Sequence, residues 1–220
     1  MVAASPGHVD GLVIAIDGPA GAGKSTVGRE VARRLGLEYL DTGAMYRAVT
    51  FAVLRRGLDP NDDEAVAAIV GDVDMEIGER AVVVDGVDAT AEIRGREVTA
   101  AVSAIAANSA VRSDLVARQR AWAAERGGGV IEGRDIGSVV FPDAALKLFV
   151  TASPRVRAER RVAEIGGDVD EVEASIIERD RKDSSRADSP LTEAHGPTIV
   201  DTTGLGIDEV VEQIISEVPQ

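Results

Sequence analysis

LVIAIDGPAGAGKS, residues 12–25, decides the fold. Its first six residues, Leu12–Asp17, are apolar up to the closing aspartate. A run without polar alternation reads as a strand buried on both faces. Gly18 and Pro19 end it, and Gly18 to Ser25 match the pattern G-x-x-x-x-G-K-[ST]. A helix is expected from about Lys24 to Leu35, because Val27, Val31 and Leu35 fall at i, i+4 and i+8 and Gly36 follows. Strand, glycine-rich turn and helix in that order make a phosphate cradle, or P-loop. The glycines let successive N–H groups turn toward one anion, and the helix N-terminus adds partial positive charge. Lys24 is placed to reach the β- and γ-phosphates of a nucleotide, Ser25 to hold Mg²⁺, and Thr26 to add a hydroxyl contact.

Downstream, strands and helices alternate. Leu37–Leu40 reads as a short strand, and residues 43–56 as a helix carrying Met45, Val49, Ala52 and Val53. Residues 62–70 read as helical. Met75–Ile77 and 81–84 read as strands, and Asp85-Gly86 ahead of Val87 is a hairpin signal. Residues 96–126 are helical with a break expected near Asn108. Gly127–Gly129 interrupt the chain before a strand at Val130-Ile131. Another strand covers 145–150. Ser153 as cap and Pro154 at the first position open a helix to Ile165, and a further helix runs from Val169 to Arg181. A polar stretch, Lys182 to Pro197, leads to the last strand, Thr198–Asp201, and a helix from Ile207 to Val218. This order predicts a three-layer α/β fold with a parallel five-stranded sheet and a small antiparallel β insertion. One domain is expected: a core of about 12–40 and 128–218, an insertion-bearing region of about 41–127, and a mobile lid of about 166–190.

Composition narrows the partners. The 220 residues carry a formal charge of −14, which repels nucleic-acid polymers and anionic membranes. Lysine occurs only at 24, 147 and 182, so positive charge is nearly all arginine, the side chain suited to forked contact with phosphate. There is no cysteine, hence no disulfide, thiol nucleophile or thiolate metal site. Met1 to Gly11 lacks the features of a signal peptide, and no apolar run reaches membrane-spanning length. A cytoplasmic monomer is expected.

A P-loop by itself serves kinases, GTPase switches and motor ATPases alike. The Asn-Lys-x-Asp segment of a guanine reader is missing. Asp201-Thr202-Thr203-Gly204 fits D-x-x-G but lies near the chain end, where a switch would not be. The stretch Asp41-Thr42-Gly43-Ala44-Met45-Tyr46-Arg47 can open a helix with free N–H groups and one arginine a turn in.

Taken together, GPAGAGKST (18–26), DTGAMYR (41–47), IEGRDIGSVVFPDA (131–144), ERDRKDSSRADSPL (178–191) and VDTT (200–203) resemble bacterial cytidylate kinases, collinearly from about Leu12 to Val218. The resemblance implies ATP-dependent phosphorylation of CMP or dCMP, within pyrimidine nucleotide metabolism. It places ATP on Gly18, Pro19, Ala20, Gly21, Ala22, Gly23, Lys24, Ser25 and Thr26, with Mg²⁺ as Mg·ATP at Ser25. It places the substrate phosphate on Thr42, Arg47 and Arg134, and the base on Ser103, Arg112 and Asp135. Arg179 and Asp183 fall near the sugar, and Arg186 belongs to the lid. Lys24, Arg134 and Arg186 are the expected catalytic residues. Cytosine chemistry agrees: a carboxylate suits the exocyclic amino group, and arginine suits the neighbouring acceptors. The alternative for Asp135 is a pairing with Arg134 or another arginine. Alternatives for the whole chain are a kinase for UMP, AMP or shikimate, and a nucleotide-dependent binding switch.

Overall fold

The computed structural model describes residues 11–184 and 196–219. Arg186, both histidines and the expected lid beyond Ser184 lie outside the described residues. Residues before Asp41 and after Ala121 form one compact unit, and Asp41–Ala121 the other.

The larger unit is built on β1 (Leu12–Asp17), β2 (Tyr39–Asp41), β6 (Gly128–Glu132), β7 (Leu146–Thr151) and β8 (Thr198–Asp201), in the order β2-β6-β1-β7-β8. β1 pairs in parallel with β6 and β7, and β7 with β8. The parallel five-stranded sheet expected from the sequence is therefore present. Helices α1 (Lys24–Leu35), α6 (Pro154–Ile165), α7 (Val169–Ser184) and α8 (Ile207–Ser216) belong to this unit. Ile14 and Ile16 of β1 pack with Val27 and Val31 of α1, Leu148 and Val150 of β7, Val200 of β8, and Val211 and Ile214 of α8. This aliphatic core fits a chain with 3% aromatic residues.

The smaller unit contains α2 (Thr42–Arg55), α3 (Asp63–Ile69), a three-stranded antiparallel sheet of β3 (Met75–Ile77), β4 (Val82–Val84) and β5 (Val87–Asp88), and α4 (Arg96–Ile105). α5 spans Ser109–Arg126. The hairpin forms as expected: Val84 faces Val87, and Asp85 and Gly86 both take positive φ, the geometry that a two-residue turn between twisted strands requires. Asn108 separates α4 from α5, and its Oδ1 accepts from the N–H groups of Ala110 and Val111 at 3.0 and 3.2 Å. An asparagine that caps the next helix is a physical cause for the break.

Three expectations are corrected. The strand expected at Val130-Ile131 begins at Gly128, so two glycines lie inside β6 rather than ahead of it. Gly129 is there because Trp122 packs on it: a Cβ would stand 2.7 Å from the indole ring, and φ is +148°. Gly129→Ala is expected to destabilise the protein by about 2–3 kcal/mol, lowering Tm by roughly 5–10 °C. An unchanged Tm in calorimetry would contradict this packing.

Second, α7 does not stop at Arg181. It continues to Ser184, because its charged side chains pair along the helix: Arg181 with Glu178 at 2.9 Å, and Lys182 with Glu178 at 3.7 Å. Lys182 thus lies on the helix with Arg179 and Arg181, not in the polar stretch that follows it. Third, α2 is capped by Asp41, whose Oδ1 accepts from Ala44 N at 2.9 Å, so the helix begins at Thr42 and the Ala44 N–H is already engaged.

Candidate functional site

The carboxyl ends of β1, β6, β7 and β8 collect the phosphate cradle and its supports, as expected for an open parallel sheet. The P-loop leaves β1 and enters α1 at Lys24 through Gly23, which has φ +89°. Its carbonyl oxygens are held by side chains. Arg134 Nη1 donates to Gly18 O at 2.7 Å, Lys24 Nζ to Pro19 O at 2.9 Å, and Arg157 Nη1 to Ala20 O at 3.1 Å. Thr202 Oγ1 lies 3.1 Å from Ala22 O. Lys24 and Thr202 are buried. With the Ala20 and Ala22 carbonyls held in this way, the N–H groups of Gly21 and Gly23 in the same peptides are left to face an anion.

Ser25 opens α1 and donates to Glu132 Oε1 at 2.7 Å. Glu132 is buried at the end of β6, in register with Ile16 of β1. The sequence reading assigned it no role, because no isolated aspartate ends that strand. The available signal was a carboxylate at the carboxyl end of a strand, and the pairing of β6 with β1 supplies the rest.

Asp17, also buried, ends β1 and accepts from the N–H groups of Ile136 and Gly137, both at 2.8 Å. These bonds hold the start of a single π-helical turn, Ile136–Val140, which the sequence did not announce. Burial pushes the Asp17 carboxyl up to about 6; the Gly137 and Ile136 N–H groups offset part of that rise. The native state therefore binds this proton more readily than the unfolded chain. The stability that Asp17 contributes is present at low pH and is lost as pH rises toward about 6.

Arg134 and Asp135 precede that turn. Arg134 Nε pairs with the buried Asp183 of α7 at 3.0 Å, and Arg179 Nε lies 4.0 Å from the same carboxylate oxygen. Arg134, Arg179 and Asp183 are thus brought together, and Arg134 joins them to the P-loop at Gly18. Asp135 is buried, and its backbone carbonyl accepts from Val139 and Val140.

In the smaller unit, Thr42 is buried at the start of α2. Arg47, farther along that helix, donates through Nη1 to Ile93 O and to Thr99 Oγ1, both at 2.9 Å. Ser103 lies one turn beyond Thr99 on α4. Arg112 of α5 is buried, and its Nη1 lies 3.4 Å from the Tyr46 hydroxyl on α2. Helices α2, α4 and α5 therefore carry Thr42, Arg47, Ser103 and Arg112 into one neighbourhood of this unit.

Among the described residues, no helix is long and apolar enough to cross a membrane. A crystal structure of an uncharacterized protein from Eubacterium ventriosum shares the fold, with a TM-score of 0.53 at 12% identity over 93% of this chain and 96% of that one. The cytidylate kinase of Mycobacterium leprae is 50% identical, covering 95% of this chain and 96% of its own. The cytidylate kinase of Rhodococcus opacus is 49% identical, covering 93% of each. A bifunctional pantoate ligase/cytidylate kinase of Synechococcus is 48% identical over 93% of this chain; this chain spans only 42% of that protein's length. The family model described as cytidylate kinase matches residues 14–220, and the chain belongs to that family.

Proposed function

We propose that this protein transfers the γ-phosphate of ATP to CMP or dCMP, giving ADP and CDP or dCDP. One observation carries the reading: about half of all residues are shared, end to end, with proteins named cytidylate kinase. The phosphate cradle, complete in strand, loop, lysine and helix, supports it independently.

ATP lies with its phosphates on Gly18 to Thr26. A CMP phosphate oxygen attacks the γ-phosphorus, and the bond from that phosphorus to the β–γ bridging oxygen breaks. The attacking oxygen is already ionised, so no side chain has to remove a proton. Catalysis is then positioning and charge stabilisation. Lys24 follows the migrating charge. Arg134 and Arg47, with Thr42, hold the acceptor phosphate, and Arg186 adds positive charge. Asp135 accepts from the cytosine amino group, while Arg112 and Ser103 face its other polar atoms. Arg179 and Asp183 serve the sugar.

Ser25 and Glu132 set a hydroxyl and a carboxylate oxygen side by side next to the cradle, the hard oxygen donors that Mg²⁺ takes. Bound there as Mg·ATP, the ion would neutralise charge on the β- and γ-phosphates. Glu132→Gln is expected to raise the Mg²⁺ concentration for half-maximal rate by about tenfold, with the KM for CMP unchanged. An unchanged Mg²⁺ requirement would remove Glu132 from this role.

A cytoplasmic monomer is the simplest setting for this activity, as its small-molecule substrates suggest. The direct test is product analysis: Mg·ATP and CMP should disappear together, with CDP and ADP formed in equal amounts. ATP consumption without CDP would favour a hydrolytic switch instead.

A further inference from the structure

Arg157 has no part in the chemistry above, yet it is buried, on the first turn of α6. Its guanidinium uses three directions at once. Nε donates to Ala152 O at 3.0 Å, Nη1 to Ala20 O at 3.1 Å, and Nη2 to Asp180 Oδ2 of α7 at 2.6 Å. The P-loop also rests directly on this residue. A Cβ on Gly21 would stand 3.2 Å from the Arg157 Cβ. Asp180 Oδ1 is buried and finds no hydrogen-bond partner among the described residues, so among them the hydrogen bond this carboxylate accepts comes from Arg157.

We infer that Arg157 is a positioning residue of the nucleotide site: it holds the Ala20 carbonyl from behind and so aims the Gly21 N–H into the phosphate cradle, with Asp180 fixing the guanidinium. The direction follows from peptide geometry. In a trans peptide the C=O of Ala20 and the N–H of Gly21 point opposite ways, so anchoring one orients the other. Gly21, at φ +77°, has little intrinsic preference for that orientation, and the anchor supplies it. Burying an arginine is costly, and apolar residues would fill the space with less loss. A guanidinium is suited here because its planar fork meets three fixed acceptors, which a lysine ammonium cannot match. Its charge, one peptide away from the cradle, also adds to the field that draws phosphate.

The inference rests on the reading of the P-loop as the ATP site. Steady-state rates with Mg·ATP and CMP, together with calorimetric binding of ADP, test it in the parent protein, Arg157→Met, Arg157→Lys and Asp180→Asn. Arg157→Met should raise the KM for ATP and the Kd for ADP by about tenfold or more, with the KM for CMP within about twofold of the parent. Arg157→Lys should not restore the affinity. Asp180→Asn should raise the KM for ATP by about threefold and add nothing in the Arg157→Met background. A folded Arg157→Met protein with parental ATP and ADP affinity would overturn the inference, as would equal losses for ATP and CMP. If Arg157→Met does not fold, Asp180→Asn decides, and parental ATP affinity there overturns it. Failure of the parent to make CDP would instead strike the functional reading, while ADP binding would still test Arg157.

Discussion

Lys24→Ala is expected to lower kcat by about a thousandfold or more, while Tm stays within a few degrees of the parent. The side chain is buried, and its Nζ donates to Pro19 O across the loop. That places the ammonium on the cradle before nucleotide arrives, with little reorganisation needed during transfer. Charge moves onto the γ-phosphate and the leaving oxygen as the reaction proceeds, and a positive group fixed there stabilises the transition state more than the bound substrate. The loss should therefore fall mainly on kcat, with a smaller rise in the KM for ATP. Alanine is a good helix former at the first position of α1, and Val27 and Val31 still pack the helix onto the sheet, so the fold survives. A variant that keeps near-parental kcat would remove Lys24 from the mechanism.

Asp135→Asn is expected to lower kcat/KM for CMP by about a hundredfold and to narrow the preference for CMP over UMP to within about tenfold. The carboxylate is a pure acceptor and matches an amino donor; an amide presents either an oxygen or an NH₂, and the NH₂ matches the uracil carbonyl. The residue is buried at the entry to the Ile136–Val140 turn, where water cannot substitute for a lost partner. Parallel assays with CMP and UMP, and an unchanged KM for ATP, distinguish loss of base reading from general damage. Retained discrimination would assign that reading to other residues.

Much of the larger unit was legible in the sequence, for identifiable reasons. The apolar run Leu12–Asp17 and the 3.6-residue spacing of Val27, Val31 and Leu35 are local signals, and the P-loop pattern fixes what lies between them. Asp85-Gly86, Asn108 and Ser153-Pro154 act through turn and cap chemistry on their own neighbours, so they too could be read in place. What escaped depends on distant partners. Gly128 and Gly129 carry no side-chain alternation; a strand runs through them because the Leu12 backbone crowds Gly128 and the Trp122 ring crowds Gly129. The turn at Ile136–Val140 is held by Asp17, 119 residues upstream of Ile136. The charged end of α7 resembles a loop in composition, yet its pairs at i, i+3 and i, i+4 keep it helical.

The same divide runs through the site. Gly18–Thr26, Thr42, Arg47, Arg134 and Asp135 fall within contiguous motifs, whereas Glu132 and Arg157 acquire meaning only from what they touch. Glu132 is an ordinary strand-end carboxylate until Ser25 is seen beside it. Arg157 sits in SPRVR, residues 153–157, with nothing in that run pointing to the carbonyl of Ala20.

The central claim is cytosine-specific phosphoryl transfer. It is tested most directly by ADP release from Mg·ATP with CMP, dCMP, UMP, AMP, GMP and shikimate as separate acceptors. Turnover with CMP and dCMP that exceeds each of the others by about a hundredfold or more is the predicted result. Equal turnover with UMP would keep the kinase and contradict the cytosine reader, and no turnover with any acceptor would contradict the account as a whole.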